Sequence, residues 1–119
     1  MAPHGKLSLQ WLGDTLTAYI SAPMNDEGAR LIAEEIRREV NSKGLIRWKR
    51  LLVFSPNALG GPEVCRIAKA NNEWCFQNGC TAGAIVISSA PQRFLYGKCT
   101  LNYKFFKSKH DGLLWLRSQ

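Results

Sequence analysis

Leu51-Leu52-Val53-Phe54-Ser55-Pro56-Asn57-Ala58-Leu59-Gly60-Gly61-Pro62 decides the fold. Four consecutive apolar residues with no polar alternation are what a strand covered on both faces requires. Ser55-Pro56-Asn57 and Gly60-Gly61 supply turn chemistry. Pro62, followed by Glu63, suits the first turn of a helix, where the missing N–H costs nothing and an acid meets the positive helix end. Buried strand, tight loop and helix together form the unit of an open α/β sheet. In such sheets sites form beyond the carboxyl ends of the strands. The stretch therefore predicts the fold class and marks where function should sit.

Working outward, Lys6 to Ile20 reads as a hairpin. Leu7, Leu9 and Trp11 alternate before Gly13-Asp14-Thr15, and Leu16, Ala18 and Ile20 alternate after it. A first helix is expected from Asp26 to about Asn41, capped by Asn25 or Asp26, with Ala29, Ile32, Ala33, Ile36 and Val40 on one face and Gly44 after its end. The decisive strand spans Trp48 to Phe54. The helix from Pro62 carries Val64, Ile67, Ala68, Asn71 and Cys75 on one face and stops near Gly79. Thr81 to Ser88 is a second buried strand, Pro91 to Tyr96 a short helix, and Tyr103-Lys104-Phe105-Phe106 a short strand. Ser108 caps a last helix with Asp111 in near capping-box spacing. The order β-β-α-β-α-β-α-β-α argues for one α/β domain over residues 1–119: a mostly parallel sheet of four to five strands, an antiparallel N-terminal hairpin, and helices packed on the sheet.

A chain of 119 residues with 45% hydrophobic content can bury a core without a metal or disulfide staple. No segment approaches the roughly 20 apolar residues of a membrane-spanning helix, and Met1-Ala2-Pro3-His4-Gly5-Lys6 lacks the apolar core of a secretory signal. A soluble, cytoplasmic protein is expected. Cys65, Cys75, Cys80 and Cys99 show no Cys-x-x-Cys spacing, and His4 and His110 lie far from them in sequence. They read as small buried hydrophobes in a reducing compartment, with a Cys75–Cys80 redox pair as the lesser alternative. No metal or cofactor pattern is present. The formal charge of +7 is concentrated in residues 30–50, net +4, and 93–119, net +5. Such a field favours acidic partners without specifying their kind; solvated surface charge is the plainer reading.

The chain resembles the small bacterial STAS-like proteins, the SpoIIAA-like fold of anti-sigma-factor antagonists, often grouped with CRAL-TRIO lipid-transfer domains. The resemblance rests on Trp11-Leu12-Gly13-Asp14-Thr15-Leu16, Asn25-x-Glu27-Gly28-Ala29, Trp48-x-x-Leu51-Leu52, Pro62-Glu63-Val64 and Trp74-Cys75-x-x-x-Gly79-Cys80. The closing Phe105-Phe106-x-Ser108-x-x-x-Gly112-Leu113-Leu114-Trp115-Leu116 completes it. It covers nearly the whole chain and implies a regulatory domain. Well-known members are switched by phosphorylation of a serine in an Asp-Ser-Gly-type motif after the central strand. Phosphate there adds nearly −2 of charge at a helix start. This chain departs from that motif: the place reads Asn57-Ala58-Leu59-Gly60-Gly61-Pro62, and Ser55 is the nearest hydroxyl. Ser55 is thus the candidate phosphoacceptor, with a plain turn serine as the commoner alternative.

Catalysis finds little support, since no nucleophile stands with a base in a recognisable pattern and Glu34-Glu35 belong to a charged helix face. Gly60-Gly61 lacks the Lys-Ser/Thr of a nucleotide loop, and Pro62 removes a donor. The expected function is non-enzymatic protein–protein contact, through Ser55, Asn57, Gly60, Gly61, Glu63 and Arg66, with a protein partner the sequence does not identify. One alternative is an apolar or anionic lipid-like ligand in a pocket of Phe94, Tyr96, Phe105, Phe106 and Trp115, flanked by the basic region. A lesser alternative is nucleic-acid binding through Arg47-Trp48-Lys49-Arg50 and Tyr103-Lys104-Phe105-Phe106-Lys107, where aromatics interleave with bases. An exposed hairpin edge would also allow a homodimer.

Overall fold

A computed structural model describes residues 4–100 and 102–119, with the side chain of Cys99 outside the described set. Readings of Met1 to Pro3 and of Cys99 as a buried thiol fall outside the described residues. The elements are β1 (Lys6–Leu12), β2 (Thr15–Ser21), α1 (Asp26–Lys43), β3 (Trp48–Phe54), α2 (Pro62–Gln77), β4 (Cys80–Val86), α3 (Ala90–Cys99), β5 (Tyr103–Phe106) and α4 (Lys109–Arg117). The five strands lie in the order β1-β2-β3-β4-β5. The β1–β2 pair is antiparallel, with Leu12 opposite Thr15 across the Gly13-Asp14 turn. The other three pairings are parallel. β3 is central, as its apolar run requires.

Strand alternation divides β3 between two layers. Trp48, Leu52 and Phe54 point to the face covered by α1, α2 and α3. There they join two apolar clusters, one with Ala18, Ile20, Ile85 and Tyr96, the other with Leu16, Ile36, Val40 and Cys75. Leu51 points the opposite way, into a smaller cluster with Ala82, Ala84, Val86 and Leu116 of α4. β1 forms one border of the sheet and the four-residue β5 the other.

The helices start where their caps dictate. The Asn25 side chain accepts from the Gly28 N–H, Ser89 from Gln92 and Ser108 from Asp111. These bonds satisfy donors that a helix start leaves open, each worth about 1 kcal/mol. α1 ends at Gly44 in the left-handed region, where its N–H bonds back to Val40. α3 continues three residues past the expected Tyr96. Cys75 and Cys80 are free and buried, whereas Cys65 is disulfide-bonded, which corrects the expectation of reduced thiols at that position.

Candidate functional site

The carboxyl edge of the sheet gathers three segments: the loop after β3, the turn from β4 into α3, and the end of β5. The first is the segment expected from sequence. Its backbone is tightly held. The Ser55 N–H donates to Ile20 O (2.9 Å), Ala58 N–H to Ser55 O (3.0 Å), and Met24 N–H to Leu59 O (2.9 Å). Ala58 is fully buried and plugs the loop into the core beside Phe54. Pro56 and Asn57 stand out as an exposed tip.

Two side chains of α3 brace this loop from beneath. Gln92, fully buried, donates its Nε2 to Ser55 O (2.6 Å) and Ala58 O (3.4 Å), while its Oε1 accepts from Ser88 N–H (3.2 Å). Tyr96 stacks on Phe54 with ring centroids 4.3 Å apart and donates its hydroxyl to Ala58 O (2.7 Å). Burial raises the Tyr96 phenol above its usual range, so it remains a donor. Gln92 carries little signal in the sequence. Its one local signal is the spacing to Tyr96, four residues on, which puts both on one helix face.

Each expected contact residue can now be placed. Ser55 is half-buried and its hydroxyl donates to Asn57 Oδ1 (2.6 Å), so these two form one polar unit at the tip. Gly60 is half-buried: a Cβ there would lie 2.7 Å from Val64, so this position fits the chain against α2. Gly61 is exposed and begins α2 without a side-chain cap. Glu63 and Arg66 pair with each other at 2.9 Å, both in contact with solvent. All six residues lie on one continuous loop–helix segment, from the residue after β3 into α2. His4, His110, Glu34 and Glu35 are exposed. Among the described residues no group of three His, Cys, Asp or Glu could hold a metal ion.

The five aromatics expected to line one pocket do not come together. Tyr96 is part of the core, Phe94 is 71% exposed beneath Lys98, and Trp115 packs on Phe106 under α4. Phe105 and Phe106 do line an open groove of about 660 Å³, with Ser88, Ser89, Arg93 and Lys107. Arg93 lies over Phe105 at 3.8 Å. The basic–aromatic stretches are likewise split by strand alternation. Trp48, Arg50 and Tyr103 face the interior, which leaves Arg47, Lys49 and Lys104 without an exposed ring from Trp48 or Tyr103 beside them.

Arg50 is an interior residue that the sequence presented as surface. It is 2% exposed. Its Nη1 donates to Asn72 Oδ1 (2.6 Å) and Tyr103 OH (2.9 Å). Burial opposes its charge, yet the guanidinium keeps its proton, with the Tyr103 hydroxyl accepting from it. Burial pushes the Cys80 thiol up to about 12 and the Tyr103 phenol higher still, so both stand neutral beside it. Gly83, paired with both Arg50 and Tyr103 across the sheet, leaves room for this ring; a Cβ there would meet Tyr103 Cε2 at 2.5 Å.

No helix among the described residues is long and apolar enough to cross a membrane. No family model matches the chain, and no curated protein does. Among solved structures it is similar to an uncharacterized protein of the DUF3478 family from Shewanella loihica PV-4, described as having a SpoIIAA-like fold. The TM-score is 0.63 at 12% identity, over 98% of this chain and 96% of that one. Identity that low speaks for architecture alone, and on that ground the chain has the SpoIIAA-like, STAS-like fold.

Proposed function

We propose that this protein is a non-enzymatic regulatory or adaptor module that acts through protein–protein contact at the loop after β3. The observation that carries this reading is the bracing of the loop. Its backbone is fixed by Gln92 and Tyr96 while Pro56 and Asn57 face solvent. A recognition loop held in one conformation loses little entropy on binding. Glu63 and Arg66 extend the surface along the first turn of α2. Ser55, beside Asn57, is where a phosphate would act, by placing charge at the tip of that surface.

The test is affinity capture with the intact chain, compared quantitatively with Asn57→Arg and Arg66→Glu. Both side chains are exposed, so thermal unfolding should hardly move. A specific protein retained by the native chain and lost from both variants supports the reading. Identical capture by all three overturns it.

A second reading is favoured by the groove of Phe105, Phe106, Arg93 and Lys107, which joins apolar rings to two cations. An anionic lipid-like ligand would match that chemistry. Flotation with liposomes containing anionic phospholipid tests it, and protein left at the bottom of the gradient counts against it.

A further inference from the structure

β1 forms a border of the sheet, and among the described residues nothing pairs with its outer side. A border strand presents the free N–H and C=O groups of every second residue. Monomeric proteins blunt such edges with proline, charge, a bulge or brevity. The opposite border follows that rule: β5 has four residues, with Lys104 inside it and Lys107 just beyond. β1 does not. It runs for seven residues in unbroken register with β2, and its one charge is Lys6 at its start. Leu7 to Trp11 hold neither charge nor proline.

Its side chains divide between the two faces. Leu7, Leu9 and Trp11 are half-buried and lie against the two apolar clusters beneath α1. Lys6, Ser8, Gln10 and Leu12 are exposed on the other face. Trp11 is already fixed in place: its Nε1 donates to Glu39 Oε1 (3.0 Å), and Lys43 lies over its ring. A second β1 matches this pattern only in registers that set odd residues against odd. An antiparallel copy centred on Leu9 does so along all seven residues. Leu9 then faces its own counterpart, Leu7 faces Trp11, Ser8 faces Gln10 and Lys6 faces Leu12. No like charges stand opposite each other, and the apolar row continues across the junction.

We propose that β1 is the interface of a two-fold dimer, in which two copies of this chain join edge to edge into one ten-stranded sheet. The occupant is a second copy because the strand complements itself from end to end. The two-fold axis stands perpendicular to the sheet, so both α1 helices stay on one face. β3 of one copy then runs opposite to β3 of the other, and the two β3–α2 loops leave from opposite edges of the joined sheet. The contact uses none of the loop's residues, so either proposal can fail without the other. One strand pair buries a narrow strip, which places the dimer in the weak class.

Sedimentation equilibrium of the intact chain, over about 10 µM to 1 mM at physiological salt, reads the assembly state. The average mass should climb from 13.4 kDa toward twice that value. Two paired variants test the register. Ser8→Lys with Gln10→Lys sets lysine against lysine at both crossings and should weaken association at least about tenfold. Ser8→Lys with Gln10→Glu alters the same exposed positions but sets lysine against glutamate, and should associate as tightly as the native chain or more so. Thermal unfolding at low concentration should hardly move in either. A mass of 13.4 kDa at the highest concentration overturns the proposal on the native chain alone, whether the edge then serves another protein's strand or none. A dimer that both variants form equally lies on another surface, and equal loss in both refutes the register; each of these results also overturns it.

Discussion

Replacing Gln92 with alanine tests the bracing of the loop, and its cost follows from the three bonds the amide makes. Ser55 O would keep the Ala58 N–H and Ala58 O would keep the Tyr96 hydroxyl, so these carbonyls are weakened but not orphaned. Ser88 N–H would lose the acceptor that Gln92 Oε1 provides. One orphaned donor costs about 1–3 kcal/mol, and two lost bonds to partly satisfied carbonyls about 0.5–1 kcal/mol each. Gln92→Ala should therefore destabilise the fold by about 3 kcal/mol, or about 10 °C for a domain of this size. Tyr96→Phe keeps the stack on Phe54 and removes one bond to a carbonyl that Gln92 still serves, so it should cost about 1 kcal/mol. The double variant strips both partners from Ala58 O and should exceed the sum of the singles by about 1 kcal/mol. Urea unfolding followed by far-ultraviolet circular dichroism, with the slope held constant across variants, reads all three. A Gln92→Ala cost below about 1 kcal/mol, or strict additivity with Tyr96→Phe, would refute the claim that these two side chains hold the loop.

Two further outcomes are expected. Gly83→Ala places a Cβ 2.5 Å from the buried Tyr103 ring, which Arg50 also engages, and should lower the urea midpoint by the equivalent of about 2–3 kcal/mol; an unchanged midpoint would mean the ring has room to shift. Stability should also fall with rising pH on the alkaline side. Burial holds Cys80 protonated until about 12 in the folded chain against 9.0 for an exposed thiol, so its contribution is complete below pH 9 and lost as pH climbs toward 12; buried Tyr96 and Tyr103 act in the same direction at higher pH. Comparing urea midpoints at pH 8 and about 11 checks the sign, and a flat profile would show that these groups ionise alike in both states.

The limits of legibility in the sequence have physical causes. β3 and the start of α2 are readable to the residue because an uninterrupted apolar run and a proline after two glycines are local signals with few other meanings, whereas α2 ends at Gln77, two residues before the expected Gly79. The caps at Asn25, Ser89 and Ser108 are of the same kind, although at α3 the following Pro91 is the stronger local signal and Ser89 is the cap. Arg50 was hidden by its neighbours. Within Arg47-Trp48-Lys49-Arg50 a run of charge reads as surface, whereas period-two alternation with Leu52 and Phe54 puts it inside. Gln92 could not be found, because its partners are the backbone carbonyls of Ser55 and Ala58, far away in sequence. The aromatic pocket failed for a similar reason: hydrophobicity marks Tyr96 and Phe94 alike, but only the packing of α3 separates the core ring from the exposed one.

Amide hydrogen exchange on the free protein tests most directly the claim that a central strand fixes an outward-facing, ordered loop. The account predicts that Leu51 to Phe54 exchange only through global unfolding. It predicts protection at Ala58 and Leu59, whose N–H groups donate to Ser55 O and Asn57 O, and fast exchange at exposed Asn57. Exchange at Leu51 to Phe54 as rapid as in the border strand β1, or an unprotected Ala58, would contradict it.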